Sequence, residues 1–277
     1  MTIANLLKDA VNKLESTNIE DASLDAWLLL SKVASITKAQ YLANPGLELP
    51  GEVAQNFNAM LERRLNREPV QLILGETEFM GLKFFLDGKE LIPRQETEIL
   101  VEEVLKFAKG KEPSILDIFT GSGCIPISLS HYGSFSNISA GDISPDAINN
   151  AEKNAKENNA IVTFKCGDMF VPFDGECFDI ITANPPYIKT EDTKTLMPEV
   201  KDFDPMLALD GGETGLDFYK RIASEAKGHL TENGIIFMEI GYDQANDVKE
   251  IFEKENYKNI KVVRDLAGLD RVVICQN

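Results

Sequence analysis

Apolar residues recur at three- and four-residue intervals through the first quarter of the chain, a spacing that predicts helices rather than strands. In the first such segment the repeating apolar positions are Leu6, Leu7, Ala10, Val11 and Leu14. A break at Asn44-Pro45-Gly46 precedes another helical pattern from about residue 52 to residue 66. We therefore predict that residues 1–74 form a small helical bundle that recognises a substrate. A helical appendage that only packs against the rest of the protein is the alternative.

The pattern changes between residues 75 and 93, where two short apolar runs flank a turn at Met80-Gly81. This arrangement predicts a β-hairpin that links the helical bundle to a second domain, residues 94–277. The second domain opens with Arg94, Glu96 and Glu98, charged residues that line the mouth of a site or simply begin a helix.

From about residue 114 onwards, short apolar runs alternate with helical patterns. The predicted strands are residues 114–119, 138–142, 161–166, 178–183, 234–240, 260–264 and 271–275. The predicted helices between them include residues 145–158, 216–230 and 243–255. This alternation predicts a doubly wound, Rossmann-like α/β sheet. Its ligand should bind beyond the carboxyl ends of the strands, where the strand order reverses.

Composition removes several classes of function. The four cysteines are far apart and there are only two histidines, so we expect neither disulfides nor a metal site. No apolar run is long enough to cross a membrane, and the first residues do not form a signal peptide, so we expect a cytoplasmic protein. The net charge of −17 would repel the phosphates of nucleic acid, which favours a protein or small-molecule partner.

A glycine-containing turn follows the first predicted strand of the second domain, within Phe119-Thr120-Gly121-Ser122-Gly123. Such a turn lets a ligand approach the backbone closely at the start of a helix. Asp142 ends the next strand, about 20 residues further on, where an acidic residue can accept hydrogen bonds from ribose hydroxyls or cap a helix. The third strand ends near Asp168 and Phe170, which could bond and stack on an adenine ring or form an ordinary turn.

These features favour an adenosine cofactor without demanding a phosphate. The G-x-G-x-x-G pattern of NAD-binding proteins is incomplete because Pro126 stands at the third glycine, and the ATP-binding G-x-x-x-x-G-K-[ST] pattern is absent. S-adenosyl-L-methionine fits best, because its cationic sulfonium suits an acidic cleft.

The four residues Asn184-Pro185-Pro186-Tyr187 come directly after a strand that the sequence predicts to be buried. Proline fixes φ and has no N–H, so this turn leaves rigid carbonyl groups free to accept hydrogen bonds. The Asn184 side chain adds an oxygen and an NH2 group, and Tyr187 adds a flat face. The segment is suited to hold a planar group bearing an NH2, although a plain Pro-Pro turn is the alternative.

The chain resembles the HemK/PrmC family of protein-(glutamine-N5) methyltransferases, which modify peptide chain release factors. The similarity covers nearly the whole chain. Besides the glycine turn and the Asn184–Tyr187 segment, the motifs that carry it are Glu68-Pro69-Val70-Gln71, Ile92-Pro93-Arg94, Glu96-Thr97-Glu98, Asp265-Leu266-Ala267-Gly268 and Asp270-Arg271. Two departures are Phe119, where the family usually has glycine, and Gln95, where it has proline.

The resemblance implies a class I S-adenosylmethionine-dependent methyltransferase fold, and a monomer that methylates the glutamine of the release-factor GGQ motif. It implies that S-adenosyl-L-methionine, which leaves as S-adenosyl-L-homocysteine, is bound by Phe119, Thr120, Gly121, Ser122, Gly123, Asp142, Phe170 and Asn184. The catalytic residues would be Asn184, Pro185, Pro186 and Tyr187, which hold the substrate amide. The alternatives are a methyltransferase for exocyclic amines of DNA or RNA, which shares the Asn-Pro-Pro-Tyr segment, and a cofactor-binding adaptor without catalysis.

Overall fold

The computed structural model describes residues 2–277, which divide into two compact units. The first unit extends to Gly75 and also includes Met197–Phe203 from much later in the chain. Its helices are α1 (Ile3–Ser16), α2 (Ala22–Ala34), α3 (Lys38–Ala43), α4 (Gly51–Leu65) and α5 (Val70–Leu74), with α9 (Pro198–Lys201) from the later segment. The helical pattern of the sequence is therefore confirmed here.

Apolar side chains from α1, α2 and α4 form the core of this helical unit. Ala10, Leu14, Leu30 and Phe57 are fully or almost fully buried in it. α1 starts at a threonine cap, because the Thr2 hydroxyl accepts a hydrogen bond from the backbone N–H of Asn5.

One ion-pair network lies inside the helical unit. The Arg64 guanidinium of α4 donates to Asp25 of α2 at 2.6 Å and to Glu199 of α9 at 3.1 Å. Arg64 and Asp25 are both buried, so each supplies the charge that the other needs in a poorly solvated place. α9 is thus tied to α4 although about 130 residues separate them.

The second unit begins with a hairpin of β1 (Glu76–Phe79) and β2 (Leu82–Phe85). The sequence predicted this hairpin, but as a linker ahead of the second domain, whereas here it groups with that domain. Met80 and Gly81 both have positive φ, as the type I′ turn of a two-residue hairpin requires.

The rest of the second unit is one seven-stranded sheet with helices packed on it. Its strands are β3 (Ile115–Ile118), β4 (Ile138–Asp142), β5 (Thr163–Cys166), β6 (Phe178–Ala183), β7 (Leu230–Glu239), β8 (Lys258–Arg264) and β9 (Asp270–Gln276). Its helices are α6 (Glu98–Ala108), α7 (Cys124–Gly133), α8 (Pro145–Glu157), α10 (Asp217–Glu225) and α11 (Ala245–Lys254). The strand order is β5-β4-β3-β6-β7-β9-β8, and this is the doubly wound, Rossmann-like α/β sheet that the sequence predicts.

The strand order fixes where a ligand can bind. β3 lies between β4 and β6 and is parallel to both, so the chain reverses its direction of winding beside β3. The loops after β3, β4 and β6 consequently meet at one edge of the sheet. On the other side of the sheet, β9 lies between β7 and β8 and is antiparallel to both, so β8 and β9 form a hairpin with β8 as the edge strand. Across residues 2–277, none of the helices has the length and apolar character that crossing a membrane requires.

Candidate functional site

A cavity lies at the carboxyl ends of β3, β4 and β6. The residues that line it are Lys89, Glu90, Leu91, Pro93, Arg94, Thr97, Phe119, Thr120, Gly121, Ser122, Cys124, Ile125, Gly141, Asp142, Ile143, Ser144, Ala147, Asp168, Met169, Asn184, Pro186, Pro205, Leu207, Ala208 and Phe218. The structure therefore brings most of the residues predicted to bind a cofactor to one place, together with two residues of the Asn184–Tyr187 segment.

The glycine turn after β3 uses a left-handed backbone at three positions. Gly121 has φ of 52° and Gly123 has φ of 80°, which glycine tolerates readily. Phe119 has φ of 62°, a conformation that costs a non-glycine residue roughly 1–2 kcal/mol. The Phe119 ring packs edge-to-face on Phe218, with 5.1 Å between ring centroids, and this contact helps to offset the cost.

Gly123 does not line the cavity, although it was predicted to contact the cofactor. A Cβ at this position would lie 2.9 Å from the Ile127 side chain and 3.1 Å from Ala151 on α8. The glycine is therefore needed for the close approach of α7 to α8, and a contact of Gly123 with the cofactor stays a prediction.

Asp142 holds the glycine turn in place. One carboxylate oxygen accepts a hydrogen bond from the Gly121 N–H and the other accepts one from the Ser144 N–H, both at 2.9 Å. Burial raises the pKa of Asp142 above its usual value, against these hydrogen bonds, which favour the charged form. The helix cap that the sequence offered as an alternative is supplied by Ser144, whose hydroxyl accepts from the Ala147 N–H.

The loop after β5 differs from the prediction. Phe170 is buried and does not line the cavity; its ring stacks on His229 at 4.9 Å between centroids, so it is not placed to stack on an adenine. The neighbouring Met169 lines the cavity instead. Asp168 also lines it, but both of its carboxylate oxygens already accept hydrogen bonds from Arg221, at 3.1 and 2.9 Å.

Asn184 and Pro186 are among the residues that line the cavity, and Pro185 and Tyr187 are not. The Tyr187 hydroxyl donates to Glu239 at 3.4 Å, and its backbone carbonyl accepts from the Gln244 side chain at 2.9 Å. Burial, with Glu239 nearby, raises the pKa of Tyr187, so the phenol stays protonated. The rigid segment after β6 is therefore anchored from behind.

Two residues of the site were missed from the sequence. The Thr97 hydroxyl donates to Glu239 at 2.5 Å and accepts from the Asn184 side-chain NH2 at 3.3 Å. Glu239 is almost fully buried at the end of β7, and this burial raises its pKa. An acidic residue at the end of the apolar run Ile235–Met238 was the signal that could have identified it.

Glu90 is a third missed residue. It is only 3% exposed, yet it lines the cavity, and one of its carboxylate oxygens has no hydrogen-bond partner. The other oxygen accepts from the Asp87 N–H and from the Asn150 side chain, at 3.1 and 2.9 Å. Burial raises the pKa of Glu90 to about 8.

Two cationic side chains line the cavity. Arg94 donates to the buried carboxylate of Asp204 at 2.5 Å, and Lys89 pairs with Asp146 at 3.0 Å on the exposed side. Glu98 instead accepts from the Met80 N–H and fastens the hairpin. Among residues 2–277, no group of three or more His, Cys, Asp or Glu side chains could hold a metal ion.

Known proteins share both the sequence and the fold. Residues 5–75 match the PrmC N-terminal domain family, and residues 95–200 match the methyltransferase small domain family. A release factor glutamine methyltransferase of Thermodesulfovibrio yellowstonii is 42% identical, with 100% of this chain and 98% of that protein covered. One of Clostridium acetobutylicum is 38% identical, with 99% and 98% covered. A solved methyltransferase structure from Pyrococcus furiosus is 19% identical and covers 71% of this chain and 89% of that one, with a TM-score of 0.56.

Proposed function

Because the chain belongs to the release factor glutamine methyltransferase family, we propose that it methylates a glutamine side chain of peptide chain release factors. The methyl group comes from S-adenosyl-L-methionine, and the acceptor is the N5 amide nitrogen of the glutamine in the GGQ motif. S-adenosyl-L-homocysteine is the second product. The helical unit recognises the release factor.

One observation carries this proposal, and it concerns the orientation of the Asn184 side chain. The Asn184 side chain lines the cavity while its NH2 group is bonded to Thr97, so its carbonyl oxygen is the atom left for a ligand. An amide nitrogen that enters the cavity carries two N–H donors and needs acceptors of this kind. The Asn184 oxygen takes one N–H. We assign the other to the backbone carbonyl of Pro185, which follows Asn184 directly but is not itself among the residues that line the cavity.

A glutamine amide is a weak nucleophile because its nitrogen lone pair is delocalised into the C=O bond. Two fixed acceptors on the N–H groups favour a pyramidal nitrogen and aim its lone pair at the methyl carbon. Such alignment can lower a barrier by roughly 7–11 kcal/mol. Transfer would join the methyl carbon to this nitrogen as the C–S bond of the cofactor breaks, with the electron pair kept by the sulfur, and the nitrogen would then release one proton.

The cavity fits the proposed cofactor. Asp142 lines it with a carboxylate that accepts hydrogen bonds from the Gly121 and Ser144 N–H groups, and a carboxylate has further lone pairs for ribose hydroxyls. Met169, Leu91 and Ile143 provide apolar surface for a base. When bound, S-adenosyl-L-methionine supplies an electrophilic methyl group on a sulfonium. The residues around it orient the acceptor and exclude water.

The first test is removal of the Asn184 amide. We expect Asn184→Ala to abolish methyl transfer to a release factor while the protein stays folded and still binds the cofactor, as measured by calorimetry. Transfer of radiolabelled methyl groups should be followed with release factor, duplex DNA and RNA side by side.

A release factor whose GGQ glutamine is replaced by alanine is the control substrate and should accept no label. Transfer by Asn184→Ala near the wild-type rate would contradict the role of Asn184. Label on nucleic acid alone would support the methylation of an exocyclic amine in place of the proposed reaction.

A further inference from the structure

We infer that Thr97 and Glu239 are positioning residues that decide which atom of the Asn184 amide faces the cavity. Thr97 is hydrogen-bonded to the Asn184 side chain, and Glu239 is hydrogen-bonded to both Thr97 and Tyr187. Their importance for catalysis rests on the proposed function, because it is the glutamine N–H that needs the Asn184 oxygen.

The direction of each hydrogen bond follows from the chemistry of the groups. An ionised carboxylate only accepts, and here one Glu239 oxygen receives the Tyr187 hydroxyl while the other receives the Thr97 hydroxyl. The Thr97 bond is short, at 2.5 Å, as expected for a hydroxyl that donates to a charged oxygen. The single hydroxyl proton of Thr97 is therefore already committed to Glu239.

This commitment fixes the orientation of Asn184. A threonine oxygen that has donated its proton can only accept, so the group that faces it at 3.3 Å must be the Asn184 NH2 and not its oxygen. The Asn184 oxygen is then turned towards the cavity, and within residues 2–277 no other group donates a hydrogen bond to it. A flipped amide would present NH2 to the substrate NH2, and the two donors would repel each other.

The arrangement requires Glu239 to be ionised. A protonated Glu239 would donate a hydrogen bond through one of its two oxygens, to Tyr187 or to Thr97. If it donated to Thr97, the Thr97 hydroxyl proton would be free to donate to the Asn184 oxygen, and the Asn184 amide could flip. Burial opposes ionisation and raises the pKa of Glu239, while Arg271 opposes that rise. The other titratable groups whose charge would interact with Glu239 are Glu96, Tyr187, Tyr219 and Cys124. Activity should accordingly fall on the acid side as Glu239 becomes protonated.

The experiment compares Thr97→Val, which removes the hydroxyl at nearly constant volume, with Thr97→Ser, which keeps it. In the full-length protein with release factor as substrate, Thr97→Val should lower kcat by roughly 10²-fold because the acceptor is misaligned. Cofactor affinity should stay within about twofold, since the ribose contacts are untouched, and Thr97→Ser should recover most of the lost rate. The matched control is Thr193→Val, because Thr193 is 3% exposed against 2% for Thr97 and donates only to the Thr190 carbonyl.

A second measurement does not depend on any substrate. The side-chain NH2 signal of Asn184 in a ¹⁵N–¹H spectrum, identified by its loss in Asn184→Ala, should shift in Thr97→Val and stay in place in Thr193→Val. In the unchanged protein it should shift with pH as Glu239 titrates, and in Glu239→Gln this pH dependence should disappear.

The outcomes are separable. If the unchanged protein transfers no methyl group to release factors but the Asn184 signal behaves as described, the proposed function fails and the control of Asn184 by Thr97 stands. If Thr97→Val keeps kcat within about twofold, or if the serine and valine variants lose equally, Thr97 does not position Asn184. An Asn184 signal that is unchanged in Thr97→Val would also overturn the inference.

Discussion

At the scale of single residues, Glu90 places a carboxyl group against the cavity wall with one oxygen unpartnered. Burial is the main reason that its pKa is raised to about 8 from an ordinary 4.5, so the protonated form is favoured in the folded protein. In the unfolded chain the same carboxyl is ionised above about pH 4.5. The proton bound by the folded state therefore links stability to pH.

The sign of this linkage gives a prediction. Between about pH 4.5 and about pH 8 the folded state holds the Glu90 proton and the unfolded state does not, so the free energy of unfolding should fall as pH rises. The slope for one proton is at most about 1.4 kcal/mol per pH unit, and Glu90 should contribute no slope above pH 8. Urea unfolding at several pH values measures it.

Glu90→Gln should remove this part of the pH dependence, because glutamine keeps the shape and does not titrate. Glu250→Gln is the control, since Glu250 is exposed on α11 and pairs with Lys254. An equal slope in the unchanged protein and in Glu90→Gln would show that Glu90 ionises normally in the folded state.

At the scale of elements, α2, α4 and α9 are joined by charge as well as by apolar packing. Arg64 bonds Asp25 and Glu199, and burial raises the pKa of Asp25 while the Arg64 hydrogen bond opposes that rise. On the same helix, Arg63 bonds Glu68 in an exposed position. The two neighbouring arginines of α4 thus make one buried and one exposed ion pair.

These two pairs should differ sharply when one partner is removed. Arg64→Met leaves the Asp25 charge buried without compensation and should destabilise the helical unit by roughly 3–5 kcal/mol. Arg63→Ala, the matched control, should cost at most about 1 kcal/mol because water solvates the remaining Glu68. The one tryptophan of the chain, Trp27, lies in α2, so its fluorescence during urea unfolding reports on this unit. Similar shifts of the urea midpoint in both variants would contradict the distinction.

At the scale of the whole molecule, the chain carries a net charge of −17. Nucleic acid binding rests largely on Lys and Arg contacts to phosphate and is strongly salt-dependent. In residues 2–277 the basic side chains near the cavity, Arg94 and Lys89, are already paired with carboxylates. The charge distribution therefore favours a protein acceptor.

A competition assay tests whether the acidic protein binds nucleic acid. A large excess of duplex DNA at low salt should leave methyl transfer to a release factor unchanged, since the acidic surface repels the polyanion. A basic, DNA-binding methyltransferase assayed in parallel shows that the DNA can compete. Inhibition that disappears as salt is raised would reveal a phosphate-binding surface on this protein.

The sequence by itself determined the local structure and most of the chemistry. Hydrophobic periodicity is a property of neighbouring residues, so most of the helices, the seven strands and the Met80-Gly81 hairpin could be predicted directly. The helices α3, α5 and α9 were not predicted, because such short segments do not show a repeat. The glycine turn, Asp142 and the Asn184–Tyr187 segment were visible because special backbone needs, such as proline rigidity and positive φ, restrict which residues can stand there. The expected binding and catalytic roles of these residues stay predictions.

Only the tertiary structure decided which side chains meet. It buried Phe170 against His229 and put Met169 in the cavity, because the backbone after β5 selects one of two adjacent residues. It placed α9 in the helical unit. It also brought Thr97 into contact with Asn184, 87 residues further along the chain, and with Glu239, 142 residues further along. Such contacts depend on strand order and register, and neither leaves a repeating pattern in the sequence.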